Sequence, residues 1–179
     1  MAIDAHYANI LPAHLVGPMQ AYAKHKDTQY IPVRQDYMGE HYRTVSVHRL
    51  PHGHPIEEHI VKSMVYFNRE AFEYDLSGSF EIQLMHYKPG DGFDWHCDYG
   101  LSAYDGQDRK LSFTLQLSEA WDYNGGELQI RDWCGVPSLL SKECGAFIVF
   151  DSRVPHKVKR ITSGERYSIV AWAHGPKLR

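Results

Sequence analysis

Apolar and polar residues alternate with a period of two through most of the chain from Phe80 onward. Successive side chains of a strand point to opposite faces of a sheet, so this alternation predicts half-buried β-strands. Turn-forming residues such as Asn124-Gly125-Gly126 separate the alternating segments. Several short strands separated by turns favour an antiparallel sandwich or jelly roll over βαβ units. The predicted strands cover residues 80–86, 111–117, 127–131, 146–150, 156–161 and 166–173.

The first part of the chain has a different pattern, because its apolar residues recur at spacings of three and four. This spacing places them on one side of a helix, and it predicts helices over residues 13–25 and 55–72. Pro55 stands at a position where helices prefer to begin. Helices with one apolar stripe need a partner surface, and the predicted sheet supplies one.

The length of 179 residues predicts a single domain with a core that needs neither disulfides nor a structural metal. We expect a mainly β, α+β fold for residues 1–179. Residues 1–78 would form a helical support region packed on one sheet, and residues 79–176 would form the β core.

Charge and composition limit the kinds of partner and the compartment that we expect for this protein. The net charge of −3 argues against nucleic acid as a main partner. No apolar run is long enough to span a membrane, and residues 1–4 lack the features of a signal peptide. The odd set Cys97, Cys134 and Cys144 suits a reducing compartment. We therefore expect a cytoplasmic protein without a membrane or nucleic-acid partner.

A candidate metal site lies in the segment Phe93-Asp94-Trp95-His96-Cys97-Asp98. Residues i and i+2 of an extended chain share one face, so His96 and Asp98 can offer a nitrogen and an oxygen to one ion. His156 begins a later alternating segment and is the candidate third ligand. Two histidines and one carboxylate leave open positions on the metal, which is the arrangement of non-heme Fe(II) oxygenases. The cysteines lack the spacing of a structural zinc site.

A candidate carboxylate site lies at the start of the last predicted strand. Arg166 and Ser168 share one face of that strand, where a guanidinium can grip a carboxylate bidentately and a hydroxyl can add a hydrogen bond. Tyr87 precedes the turn that leads to His96, and its phenol can donate to another carboxylate in the same cavity.

Several motifs follow one another in a fixed order. They are Tyr87-x-x-Gly90-x-x-Phe93-x-x-His96-x-Asp98, then Asp122-Tyr-Asn-Gly-Gly-Glu-Leu128, and then Gly164-Glu-Arg-Tyr-Ser-Ile-Val-Ala-Trp172. Together they resemble the signature of the 2-oxoglutarate and Fe(II)-dependent dioxygenases of the prolyl 4-hydroxylase type. Animal and plant collagen-type enzymes usually carry Lys where this chain has Arg166, so the resemblance is to the bacterial and viral type.

The resemblance implies a double-stranded β-helix, which is the cupin-like form of the jelly roll, and it assigns roles to individual residues. In this assignment Fe(II) is bound by His96, Asp98 and His156. The cosubstrate 2-oxoglutarate is bound by Arg166, Ser168 and Tyr87. The residues on the substrate side are Trp172, Lys110 and Tyr99, and the loop over residues 99–109 is a candidate lid.

The activity implied by the resemblance is O₂-dependent hydroxylation of a C–H bond, with succinate and CO₂ as co-products. Its most direct substrate is a proline-containing peptide, and ascorbate is a further ligand of such enzymes. Two alternatives remain open on the sequence. One is hydroxylation of a free amino acid or small metabolite on the same scaffold, and the other is a cupin-like metal-binding module without turnover.

Overall fold

Antiparallel strands dominate the computed structural model, which describes residues 6–38, 40–100, 104–131 and 134–177. Thirteen strands and two α-helices occur in these ranges. In chain order the elements are β1 (His6–Ile10), α1 (Ala13–Ala23), β2 (Ile31–Tyr37), β3 (Glu40–Arg49), α2 (Pro55–Phe67), a π-helical turn (Asn68–Phe72), β4 (Phe80–Tyr87), β5 (Gly92–His96), β6 (Gln107–Gln116), β7 (Tyr123–Gly125), β8 (Leu128–Arg131), β9 (Pro137–Leu139), β10 (Ala146–Asp151), β11 (His156–Val158), β12 (Ile161–Gly164) and β13 (Arg166–Pro176).

Eleven of the described strands form one curled sheet in the order β1-β10-β6-β13-β4-β3-β5-β11-β8-β9, with β2 paired to β3. Strand β3 joins the two halves of this sheet. Its residues Arg43 and Thr44 pair with β5, whereas its residues from Ser46 to Arg49 pair with β4. The predicted antiparallel jelly-roll class is therefore confirmed, and the curl of the sheet creates an interior.

The two helices cover one outer face of the sheet, as the sequence predicts. Buried Ile60 and Met64 of α2 and Met19 of α1 belong to the same core cluster as Leu84 of β4 and Phe113 of β6. Apolar residues four positions apart in α2 lie on one side of the helix, which explains why that side is buried. Within the described ranges no helix has the length and apolarity needed to cross a bilayer.

The central strands are buried on both faces, not on one. In β4, Ile82 and Leu84 face the helices, whereas Glu81 and Gln83 line the interior cavity. All four are less than 10% exposed. The alternation therefore separates an apolar face that packs on helices from a polar face that lines a cavity, so the half-buried expectation is wrong for this strand.

The prediction that residues 1–78 form a helical region is incomplete, because three strands also lie there. Strand β1 pairs with β10 at one edge of the sheet. Strands β2 and β3 form a hairpin that extends the sheet beside β4. Nearly every residue of β2 is exposed, so this strand has no buried face to produce a pattern. Its conformation depends on hydrogen bonds to β3, which a local pattern does not reveal.

Two predicted boundaries also shift. The segment 156–161 divides into β11 and β12, and these strands belong to different sheets. The second helix leaves the α conformation at Asn68, and its π-helical turn ends before Glu73, which adopts a left-handed backbone with φ 54°. The Asn68 side chain closes this turn, because it bonds both the N–H and the carbonyl of Tyr74.

Candidate metal centre and cavity

Strand pairing brings the three predicted ligands together. His96 ends β5 and His156 begins β11, and the two are direct partners in the antiparallel ladder. Asp98 lies two residues past the end of β5. The ligand atoms of the three residues all lie within 4.8 Å of one another. One Asp98 oxygen is 3.8 Å from His96 Nε2 and the other is 3.4 Å from His156 Nε2.

Both histidines are oriented in the same way by the backbone. His96 Nδ1 lies 2.7 Å from the carbonyl oxygen of Asp94, and His156 Nδ1 lies 3.0 Å from that of Val154. A carbonyl only accepts hydrogen bonds, so each Nδ1 carries the proton and each Nε2 keeps its lone pair for a metal. Such contacts fix the tautomer and the ring orientation of metal-binding histidines.

Asp98 is held as a carboxylate inside the protein. Burial raises the pKa of Asp98, but His156, His96 and hydrogen bonds from Trp172 and Ser112 outweigh burial, and the pKa lies below 3.8. Burial and the neighbouring His156 lower the pKa of His96 to about 3. At neutral pH these two groups are therefore in the protonation states that bind a metal.

The carboxylate site predicted on β13 lies in the same cavity. Arg166 is 1% exposed, and its Nη1 donates to Ser168 Oγ at 3.0 Å. Arg166 pairs across the strands with Tyr87, whose ring lies 5.3 Å from the guanidinium carbon. The Nε of Arg166 is buried without a hydrogen-bond partner. A buried guanidinium with an unmet donor fits an anionic ligand, so these residues suit a dicarboxylate.

One cavity of about 570 Å³ contains all of these groups. Its polar wall comes from alternate residues of β4, β6 and β13. Beside Trp172, the Arg109 guanidinium lies 3.7 Å from the centre of the indole ring and donates to Glu81 at 2.8 Å. Gln83 donates to the other oxygen of Glu81 at 2.7 Å. The cavity thus joins a metal-binding end to a charged, aromatic end.

The three residues expected on the substrate side do not all lie in the cavity wall. Trp172 lines the cavity, whereas Lys110 does not and its neighbour Arg109 does. The register of β6 against β13 shifts between Ala173 and His174, which adds one residue at Lys110 and turns Arg109 to the cavity face. Alternation alone does not reveal such a bulge.

Tyr99 does not line the cavity, and its side chain bonds Asp108. The candidate lid over residues 99–109 includes positions 101–103, which lie outside the described residues. Within the described part, Tyr104 packs edge to face on His174, so this end of the loop contacts the sheet.

Several cavity residues escaped the sequence analysis. Glu81 stands on the polar face of a predicted strand, so the period-two alternation could have indicated that its side chain points away from the apolar core. Arg109 is turned inward by the bulge, and Arg43 belongs to a strand that the pattern did not indicate. Ser112, which contacts Asp98, likewise stands on the polar face of β6.

The fold and the site define a metal-dependent β-helix protein, and comparisons with known proteins agree. The sequence model of one protein family, the 2OG-Fe(II) oxygenase superfamily, matches residues 82–174. A PKHD-type hydroxylase of Pseudomonas fluorescens is 31% identical over 135 residues, which are 69% of this chain and 58% of that protein. One of Shewanella oneidensis is 42% identical over 88 residues, covering 48% of this chain and 39% of that protein.

Solved structures share the fold. A Pseudomonas putida prolyl-4-hydroxylase has a TM-score of 0.76 at 24% identity and covers 94% of this chain and 91% of its own. A viral collagen prolyl hydroxylase from Paramecium Bursaria Chlorella virus-1 has a TM-score of 0.71 at 17% identity, covering 96% of this chain and 97% of its own. The double-stranded β-helix is thereby confirmed.

This chain belongs to the 2OG-Fe(II) oxygenase superfamily. It spans 58% of the length of the Pseudomonas fluorescens hydroxylase that it matches. Membership implies Fe(II), 2-oxoglutarate and O₂, and the His-Asp-His cluster fits iron.

Proposed function

We propose that this protein hydroxylates proline residues in peptides, with succinate and CO₂ as co-products. The observation that carries the proposal is the placement of the His-Asp-His cluster and the buried Arg166 in a single cavity. Relatives named PKHD-type hydroxylases and structural neighbours named prolyl hydroxylases support the reaction class.

His96, Asp98 and His156 would hold Fe(II), since two neutral imidazoles and one carboxylate leave other positions on the ion open. When bound, Fe(II) and 2-oxoglutarate supply the oxidising power that breaks an unactivated C–H bond. The chain itself orients these ligands: the carbonyls of Asp94 and Val154 hold the two rings, and Ser112 holds the carboxylate.

Arg166 and Ser168 would bind the distal carboxylate of 2-oxoglutarate. The guanidinium is buried at the inner end of the cavity, where it supplies the positive charge that a desolvated carboxylate needs. Tyr87, its neighbour across the strands, would donate to the carboxylate nearer the metal. These contacts would anchor the cosubstrate at this end of the cavity.

Trp172 would form the wall against which the substrate ring packs. Its indole is held between the Arg109 guanidinium and the Asp98 carboxylate. The cavity also shares Arg49 and Glu81 with a second cavity of about 260 Å³. Two neighbouring cavities that share wall residues offer room for more than one residue of substrate, which favours a peptide over a free amino acid or a small metabolite.

The direct test mixes the protein with Fe(II), 2-oxoglutarate and a proline-rich peptide, with and without ascorbate, and measures peptide mass and succinate. We expect a mass gain of one oxygen per succinate, and ascorbate, as the resemblance implies, should sustain turnover. Asp98→Ala should be inactive, whereas Asp27→Ala, which alters a carboxylate with 76% exposure, should match the parent.

Two other outcomes refute parts of the proposal. Succinate release with free amino acids but with no peptide would replace the peptide by a small substrate. No turnover together with no binding of 2-oxoglutarate would leave a metal-binding module.

A further inference from the structure

The cavity has an excess of positive charge. Among its described lining residues, four are arginines and two are carboxylates. They are Arg43, Arg49, Arg109 and Arg166, against Glu81 and Asp98. A divalent cation and the dianionic cosubstrate would cancel each other, so loading the site does not remove the excess. A buried cation without a partner is costly in a partly dry cavity, and an exposed one still attracts anions, so the excess points to an anionic substrate.

Pairing within the protein leaves two of the arginines incompletely neutralised. Glu81 is shared, since Arg109 lies 2.8 Å and Arg49 3.5 Å from its oxygens. Among the described residues, no carboxylate lies within ion-pair distance of Arg43, and its Nε is buried without a partner. The Arg43 guanidinium rests over the ring of Phe93 at 4.8 Å, which holds it in place without neutralising it.

Arg49 lies on the wall that the main cavity shares with a second cavity. Its side chain is 72% exposed. It lines both the main cavity and the second cavity, which also includes Pro51 and Tyr104. A peptide long enough to occupy both cavities would therefore lie beside this guanidinium.

We propose that the substrate carries a carboxylate close to the hydroxylated carbon, and that Arg43 and Arg49 recognise it. Resting on the proposed function, this inference names acidic peptides, with Asp or Glu beside the target proline, as the preferred class. The free carboxylate of an amino acid offers the same chemistry, so the test includes it as a separate arm.

The experiment uses capped peptides that differ only in the residue beside proline, which is Glu, Gln or Lys, together with free L-proline. For each, kcat/KM is measured from the mass gain of one oxygen at low and high salt. We expect the Glu peptide to exceed the Gln peptide by about tenfold and the Lys peptide to be poorest. The preference should shrink as salt screens the exposed arginine.

Equilibrium binding supplies a readout that needs no turnover. Fluorescence anisotropy of the labelled Glu and Gln peptides is followed with the protein loaded with Mn(II) and 2-oxoglutarate, and with the metal-free protein. The Glu peptide should bind more tightly in both states, because the arginines belong to the protein itself.

Variants at Arg49 test the assignment without disturbing the core, since this side chain is mostly exposed. Arg49→Gln should lower the ratio of the Glu to the Gln peptide, with the remaining preference due to Arg43, and Arg49→Glu should lower it further and improve the Lys peptide. Lys62→Gln, which removes a cation with 72% exposure on α2, should keep the parental ratio.

The results that would overturn each claim differ. Equal turnover and equal binding of the three peptides would refute carboxylate recognition, while peptide hydroxylation would stand. Turnover of L-proline without any peptide would refute the peptide substrate and retain the carboxylate. A parental ratio in Arg49→Gln would refute the role of Arg49.

Discussion

Ser112 donates a hydrogen bond of 2.7 Å to the carboxylate of Asp98, and both side chains are at most 5% exposed. The Ser112 hydroxyl also lies 3.0 Å from that of Ser152, whose carbonyl accepts the Asp98 N–H at 2.9 Å. Asp98 lies beyond the end of β5, so no regular ladder holds it. Strand β6 therefore orients the side chain of this candidate ligand, and the residue that follows β10 holds its backbone.

Removing the Ser112 hydroxyl should weaken metal binding, because the carboxylate would lose the contact that orients it. We expect Ser112→Ala to lower Mn(II) affinity at least tenfold, which is typical for such outer contacts of a metal site. Titration of the metal-free protein followed by electron paramagnetic resonance measures this. Ser63→Ala, whose hydroxyl bonds the carbonyl of His59 on α2, is the matched control and should keep the parental affinity. Unchanged affinity in Ser112→Ala would contradict the orienting role.

Arg166→Ala should raise the concentration of 2-oxoglutarate that half-saturates turnover. The lost charge-assisted contact is worth about 1.5–3 kcal/mol, or roughly 10- to 150-fold. Arg166→Lys should be intermediate, since it keeps the charge without the planar fork. Equal Mn(II) affinity in all three proteins would show that the metal-binding end is intact. A parental requirement in both variants would mean that another residue binds the distal carboxylate.

Asp151 should make stability depend on pH. Burial raises the pKa of Asp151, but hydrogen bonds from Arg153 and Tyr74 outweigh burial and place the pKa below 3.8. A depressed folded-state pKa stabilises the protein fully above the unfolded value, and that stability is lost as the pH falls through the folded value. We expect Asp151→Asn to lower the free energy of unfolding by about 1–3 kcal/mol near neutral pH.

The difference between Asp151→Asn and the parent should shrink as the pH falls below the unfolded value of Asp, about 3.9. Urea unfolding across this range measures it. Asp27→Asn, at an exposed carboxylate, should change the free energy of unfolding by less than about 0.5 kcal/mol. A difference for Asp151→Asn that stays constant into strong acid would contradict the linkage.

Two glycine variants should differ in their effect on stability. Gly125 has φ +74°, and a Cβ there would lie 2.1 Å from the carbonyl oxygen of Arg160. Gly125→Ala should therefore displace β7 from β12 and lower the melting temperature. Gly17 lies within α1, where no atom other than its chain neighbours and the helix's own backbone is within 4 Å of such a Cβ, but a Cβ before Pro18 disfavours the helical conformation and offsets the gain in helix propensity, so Gly17→Ala should leave the stability nearly unchanged. A harmless Gly125→Ala would refute the close approach of these strands.

Local pattern predicted the strands that have a strong period. The segments near Phe80, Leu111, Ala146 and Arg166 are strands because their apolar residues need one buried face. Both helices were also indicated by their stripes. Strands β1 and β2 were missed because hydrogen bonds to distant segments define them, and β2 buries almost no side chain.

The candidate site likewise contains residues that the local pattern indicated and residues that it missed. Spacing and motif order pointed to all four residues: His156 and Arg166 begin predicted strands, and His96 and Asp98 share one face of an extended segment. Arg109 was missed because a bulge in β6, visible only in its register with β13, reverses the direction of the side chain.

The amino-acid sequence by itself determined the residue types of the metal and carboxylate sites and the alternation that makes this protein mainly β, since both are local properties of the chain. Tertiary structure alone decided that the polar faces of β4, β6 and β13 enclose one cavity, and that its arginines outnumber its carboxylates. The reason is physical: period and spacing assign a side chain to a face, but only the curl and the register of the sheet decide which faces meet.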